Sequence, residues 1–119
     1  MKEKGALFEE GITLSAYPPE YIFSEKLEAI IYLDEVNSRM KDFHDCLQII
    51  KDENIEKTEF KDAIQETFIN RGTTFTYIPN HEEKLGARWG AFVRKNKGEV
   101  AQLKQVIIEI NEFLKIIGL

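Results

Sequence analysis

The stretch YPPEYIFSEKLEAII, Tyr17 to Ile31, opens on two prolines and then runs without a glycine or proline. A proline fits the first position of a helix, where its missing N–H costs nothing, so Pro19 predicts a helix from there to about Leu33. Plotted at about 100° per residue, Ile22, Phe23, Ala29, Ile30 and Leu33 share one arc, with Tyr21, Ser24, Glu25 and Glu28 opposite. Lys26 falls in the middle of the apolar arc, with Ile22 one turn before it and Ile30 one turn after. An ammonium placed there has to reach outward to water or meet an acceptor.

Working outward, Ile12 to Tyr17 (ITLSAY) alternates weakly and suggests a short strand ended by Pro18 and Pro19. Downstream, NSRMKDFHDCLQI (Asn37 to Ile49) predicts a second helix from Arg39 to about Asp52. Asn37 and Ser38 are its candidate N-caps, and Met40, Phe43, Cys46, Leu47 and Ile50 recur at helical spacing. The two helices are expected to form an antiparallel pair. Arg39 lies over Phe43, Cys46 and Ile50, Asp42 falls at the edge of the apolar arc, and Asp45 lies just outside it. Because an unpaired buried charge is costly, Lys26 and Asp42 are natural partners across the pair. Periodicity leaves two readings open, an ion pair that sets the register of two helices and a functional site.

The rest of the chain reads as helical too. A third helix is expected from about Ile55 to Arg71, with Phe60, Ile64 and Phe68 stacked and Gly72 as a left-handed cap. Thr73 to Ile78 (TTFTYI) reads as an extended segment or short strand that ends at Pro79. Glu82 to about Lys95 predicts a fourth helix with Leu85, Trp89, Phe92 and Val93 inward, although Gly86 and Gly90 each cost it about 1 kcal/mol. The last, from about Glu99 to Ile117, carries Val100, Leu103, Ile107, Ile110, Leu114 and Ile117 as a stripe that Val106 and Phe113 widen. That stripe suits either core packing or the docking of a partner. The expected class is mainly α, about five helices with one or two short extended segments, divided into residues 1–17 and a helical domain over 18–119.

With 119 residues, 43% of them hydrophobic, the chain fits one core. Sixteen basic against twenty-one acidic residues give a net charge of -5, so bulk charge attracts neither nucleic acid nor an anionic membrane, and any RNA contact has to be local. A lone cysteine, Cys46, rules out an internal disulfide and points to a reducing, cytoplasmic setting. The N-terminus lacks an apolar signal core, and Val106 to Ile110 is far shorter than the roughly 20 residues of a membrane span, so no membrane partner is expected. His44 and Cys46 point about 200° apart on a helix, which argues against a nucleophile pair. His81-Glu82-Glu83 lacks a second histidine for zinc. Arg88, Arg94, Lys95 and Lys97 beside Trp89 and Phe92 form a basic cluster that suits a phosphate backbone or a solvated helix face. Arg71-Gly72-Thr73-Thr74 has too few glycines to cradle a phosphate.

YPPEYIFSEKLEAII followed by NSRMKDFHDCLQI resembles the paired motifs of the AbiEii/AbiGii toxin family of nucleotidyltransferases, a Tyr-Pro-x-Glu start into a Glu-Lys-Leu helix and then an Arg-x-Lys-Asp-x-x-Asp helix. Ala63-Ile64, Thr67-Phe68, Arg71-Gly72-Thr73, Trp89 and Phe92 follow the family layout more loosely. The resemblance implies a toxin of toxin–antitoxin and abortive-infection systems, with an α/β nucleotidyltransferase core followed by a helical C-terminal region. This chain looks like that helical half, with residues 1–17 a remnant of the core. The resemblance further implies Lys26, Asp42 and Asp45 as catalytic residues and Lys26, Arg39 and Lys41 as nucleotide-binding residues, with Glu25 beside them. It implies transfer of a nucleoside monophosphate from a nucleoside triphosphate to RNA, possibly tRNA, with Mg2+ in a full-length homologue.

The family's Gly-Ser turn and Asp-x-Asp metal pair are both absent from the 119 residues. No metal ligand is therefore assigned in this chain, and alone it is expected to be inert. A separate nucleotidyltransferase core and a cognate antitoxin are the expected partners, and RNA only in a full-length setting. The alternative is a non-enzymatic helical interaction module that binds an antitoxin or a separate catalytic chain through its C-terminal stripe.

Overall fold

Five helices follow from these signals in a computed structural model that describes residues 18–36, 39–52, 55–97 and 100–119. They are α1 (Pro19–Leu33), α2 (Met40–Ile50), α3 (Lys57–Arg71), α4 (Glu82–Lys95) and α5 (Leu103–Ile116), with a 3-10 turn, Asp34–Val36, after α1. Among the described residues there is no strand. The proposed strand Ile12 to Tyr17 and the candidate caps Asn37 and Ser38 lie outside the described residues, as does residue range 1–17 as a whole.

Pro18 is extended and Pro19 takes the first helical position, as the double proline predicts. α1 packs most extensively on α3 and α2, while α2 also meets α4 and α5, so α1 is covered on two sides. Phe23 and Ile30 are buried as expected and Ile22, Ala29 and Leu33 partly so, but Leu27, outside that arc, is buried as well, and so are Ser24 and Glu28, which the helical wheel placed opposite it. The wheel assumes one covered face, and α3 covers the other. Ser24 escapes an unsatisfied hydroxyl by donating to the Glu20 carbonyl at 2.6 Å, a local bond that needs no partner helix.

Three phenylalanines from α1, α3 and α5 meet at the centre. Phe23, Phe60 and Phe113 pack edge to face with ring centroids 5.4 to 5.5 Å apart, the arrangement that ring quadrupoles favour. Leu103, Val106, Ile107, Ile110, Phe113 and Leu114 of the stripe are buried and its ends, Val100 and Ile117, partly so, which makes it part of the core. Of the two uses open to that stripe, core packing is the one its buried residues serve. α5 also begins at Leu103, four residues later than its periodicity suggests, because Gln102 is extended and the Trp89 indole N–H donates to the Ala101 carbonyl at 3.1 Å.

α3 ends in the expected way. Gly72 is left-handed at φ 67°, its N–H bonds to the Ile69 carbonyl, and the Thr73 N–H reaches back to Phe68 at 3.0 Å, which is a Schellman cap. The cap turns the chain into an irregular segment over residues 73–80. Phe75 and Tyr77 point inward from it and continue an aromatic row from Phe68. No strand pairs with it; instead the Asn111 side chain on α5 accepts from the Ile78 N–H and donates to the Ile78 carbonyl, both at 2.9 Å. One amide does what a neighbouring strand would do. His81, buried at the start of α4, sets its Nε2 2.8 Å from Asp34 Oδ1 and ties that helix to the end of α1.

α4 forms although it contains Gly86 and Gly90. A Cβ added at Gly86 would meet nothing within 4 Å. Gly86→Ala should therefore raise the unfolding free energy by about 1 kcal/mol through helix propensity alone. Urea denaturation checks this, and a loss of stability would show that the groove beside Gly86 is needed open.

Candidate functional site

α1 and α2 run antiparallel. Lys26 faces Asp42 while Phe23, earlier on α1, faces Cys46, later on α2. This direction brings the mid-helix lysine onto the first turns of α2. Lys26 Nζ lies 3.3 Å from Asp42 Oδ1 and 3.1 Å from Asp45 Oδ2, so the ammonium is shared between two carboxylates one turn apart. Arg39 Nε stands 3.0 Å from Asp42 Oδ2, and Lys41 Nζ is 2.9 Å from Asp45 Oδ2. The five residues proposed from sequence thus converge, three cations on two anions. Asp45, which the wheel put just outside the apolar arc, is as close to Lys26 as Asp42 is.

Burial grades the cluster from inside out. The Asp42 side chain is 4% exposed, Asp45 19% and Lys26 25%, whereas Arg39 and Lys41 are 59% and 74% exposed. Burial works against the charge of Lys26, but the Asp45 hydrogen bond together with the attraction of Asp42 outweighs it, and the ammonium's pKa ends above its ordinary value. For Asp42 the balance tips the other way. Loss of solvent raises its pKa more than Lys26 and Arg39 lower it. Its Oδ2 is a buried oxygen that receives no directed hydrogen bond among the described residues, although the Arg39 Nε charge is adjacent.

Cys46 lies behind this pair, fully buried, with burial holding its thiol well above the ordinary range. Such a thiol is not a nucleophile. His44 packs on Phe92 at 5.7 Å between ring centroids, while the Cys46 thiol donates to the Phe23 carbonyl at 3.9 Å. Among the described residues no three His, Cys, Asp or Glu side chains come together in a way that could hold a metal ion.

A second polar cluster lies on the α3 side of α1. Glu28 is 5% exposed and accepts from the Thr73 hydroxyl at 2.6 Å, with Arg71 Nη1 3.8 Å away, while the other Arg71 Nη pairs with Glu25. The helical wheel missed Glu28 because it treated that side as solvent. The only sequence signal was indirect: Arg71-Gly72-Thr73, where the left-handed glycine returns Thr73 to α1. The two clusters hold the same helix from opposite sides, so the rotation of α1 that aims Lys26 at α2 is also set by Glu28.

The shared ammonium makes the cost of breaking the cluster unequal. Lys26→Met leaves the buried Asp42 with only the exposed Arg39 and should cost up to about 3 kcal/mol in unfolding free energy, whereas Asp42→Leu leaves Lys26 with Asp45 and costs less. The combined Lys26→Met/Asp42→Leu variant should lie near or above the parent, as read by urea denaturation. Equal costs for the two single changes would contradict the sharing. The pH behaviour follows with its sign. Lys26 contributes stability that is complete below pH 10.5 and is lost as pH climbs through its raised folded-state pKa. Removing it deprives Asp42 of an attraction that lowers its pKa, so carbon-detected NMR titration of Lys26→Met should show Asp42 protonating at higher pH than in the parent.

Residues 2–113 match the model of one protein family, described as nucleotidyl transferase AbiEii toxin, type IV TA system. No curated protein and no solved structure matches the chain significantly.

Proposed function

The chain belongs to the AbiEii nucleotidyl transferase toxin family of type IV toxin–antitoxin systems, and from that premise we propose that it supplies the lysine–aspartate half of a nucleotidyl-transfer site. The observation that carries this reading is the convergence of Lys26, Asp42 and Asp45 from α1 and α2, two helices whose sequences resemble the family's paired motifs. An ion pair serving only to fix register needs two charges. Here five gather, and the outer two, Arg39 and Lys41, are exposed where a triphosphate could reach them.

In this reading Lys26 neutralises phosphate oxygens as a compact point charge, held in place by both aspartates, while Arg39 and Lys41 draw in the nucleoside triphosphate. Asp42 is suited to take the proton from the attacking hydroxyl, since burial raises its affinity for a proton and one of its oxygens lacks a directed donor. The hydroxyl oxygen of an RNA acceptor forms a bond to the α-phosphorus, the bond to the bridging oxygen breaks, and pyrophosphate departs. Mg2+ does not fit this cluster, because Asp42 and Asp45 each already face two cations. No step is assigned to it here. The Gly-Ser turn and Asp-x-Asp pair, absent from the 119 residues, are supplied by a separate stretch of polypeptide, and the chain alone is inactive. The family implies a cognate antitoxin, and the cytoplasm is the compartment that the lone buried cysteine suits. Among the described residues no helix is long and apolar enough to cross a membrane.

The test joins the chain to a polypeptide carrying the Gly-Ser and Asp-x-Asp motifs, encoded upstream or in an adjacent reading frame. Labelled nucleoside triphosphate and RNA should give labelled RNA only with both parts present. The folded Lys26→Met/Asp42→Leu variant should lower the rate by roughly a hundredfold or more, because charge neutralisation is lost without unfolding. Transfer that survives in that variant would sink the assignment.

A further inference from the structure

The Arg71 guanidinium spans two carboxylates of α1. Its Nη2 pairs with Glu25, and its Nη1 lies 3.8 Å from Glu28 Oε1. Across the left-handed Gly72, the Thr73 hydroxyl donates to the other oxygen of Glu28, Oε2, at 2.6 Å. Burial of Glu28 explains why Thr73 is needed. It does not explain the Arg71–Glu25 pair, which is exposed and therefore contributes little to stability. A planar fork resting on two carboxylates one turn apart does fix a direction, because α1 can turn about its axis only by breaking one arm of it.

The direction matters for Lys26. At about 100° per residue Lys26 and Glu28 stand about 160° apart on α1, with the core residues Phe23, Leu27 and Ile30 on the side between them. A turn of the helix that draws Glu28 away from Thr73 therefore carries Lys26 through the same angle. At a side-chain radius of roughly 6 Å, a turn of about 10° displaces the ammonium by about 1 Å. Its distances to Asp42 and Asp45, 3.3 and 3.1 Å, are already longer than the roughly 2.7 to 2.9 Å of a strong charged hydrogen bond. The edge-to-face ring contacts of Phe23 do not resist so small a turn.

We propose that the Arg71-Gly72-Thr73 turn is a positioning element for Lys26: by holding Glu25 and Glu28 it sets the rotation of α1 and so aims the ammonium at Asp42 and Asp45. This deepens the transfer reading and rests on it only for the reaction that the aim serves, where a displacement of about 1 Å can cost a hundredfold in rate. Arg71 and Thr73 act through Lys26.

Carbon-13 NMR of the Lys26 side chain, followed against pH in the 119-residue chain, tests the proposal. In Arg71→Met the ammonium should titrate at lower pH than in the parent, toward the ordinary 10.5, as its contacts with Asp42 and Asp45 loosen. The sign is diagnostic, since removal of a cation would by its field alone move the titration upward. Thr73→Val should shift it downward too, and Thr73→Ser, which keeps the hydroxyl, should restore the parent value. Lys51→Met, which breaks the α2–α5 pair with Glu109, should not lower it. An unchanged or raised Lys26 titration in Arg71→Met would overturn the proposal and leave the turn as a helix cap with a surface ion pair. An equal downward shift in Lys51→Met would overturn it as well. Should Thr73→Val fail to fold, Arg71→Met, changed at an exposed position, decides alone. No nucleoside triphosphate and no second chain is present, so the outcome is independent of whether the Lys26 cluster takes part in transfer.

Discussion

A helix covered on two sides has to find partners for every charge it carries inward, and α1 meets that requirement twice. On the α2 side Lys26 is held between Asp42 and Asp45; on the α3 side Glu28 is held by Thr73 and Arg71. Stranding either charge would leave a buried ion unpaired, a state costly enough to compete with the whole margin of stability of a small domain. The direction of α2 and the left-handed cap of α3 supply the partners, and the rotation of α1 satisfies both sides at once.

The aromatic core complements this polar frame. Phe23, Phe60 and Phe113 hold α1, α3 and α5 by area and edge-to-face geometry, which fixes proximity but tolerates small rotations. Charged hydrogen bonds do not tolerate them, because they weaken steeply off line. Burial of Asp42 gives the cluster a carboxylate unlike those at the surface.

Much of this was legible along the chain, and for definable reasons. The double proline marks the start of α1, Gly72 marks the end of α3, and α4 spans the residues its pattern predicts, because caps and breakers act through local sterics. Lys26 was conspicuous because a charge in an apolar arc is improbable without a partner. Other features were not legible. The start of α5 moved to Leu103 because a tryptophan twelve residues away claims the Ala101 carbonyl, and the stretch after Gly72 stayed unpaired because an asparagine on α5 occupies Ile78.

By itself the sequence determined the helical class, the boundaries set by proline and glycine, the family, and the identity of a lysine whose place in an apolar arc calls for an acceptor. Periodicity reports how many faces of a helix are apolar, and local chemistry reports where it starts and stops. Only the tertiary structure decided that α1 is covered on both sides, that Glu28 is an interior residue, and that Asp45 shares the ammonium with Asp42. Those outcomes depend on which helix packs on which, and that is settled by long-range burial, which no spacing within one helix records.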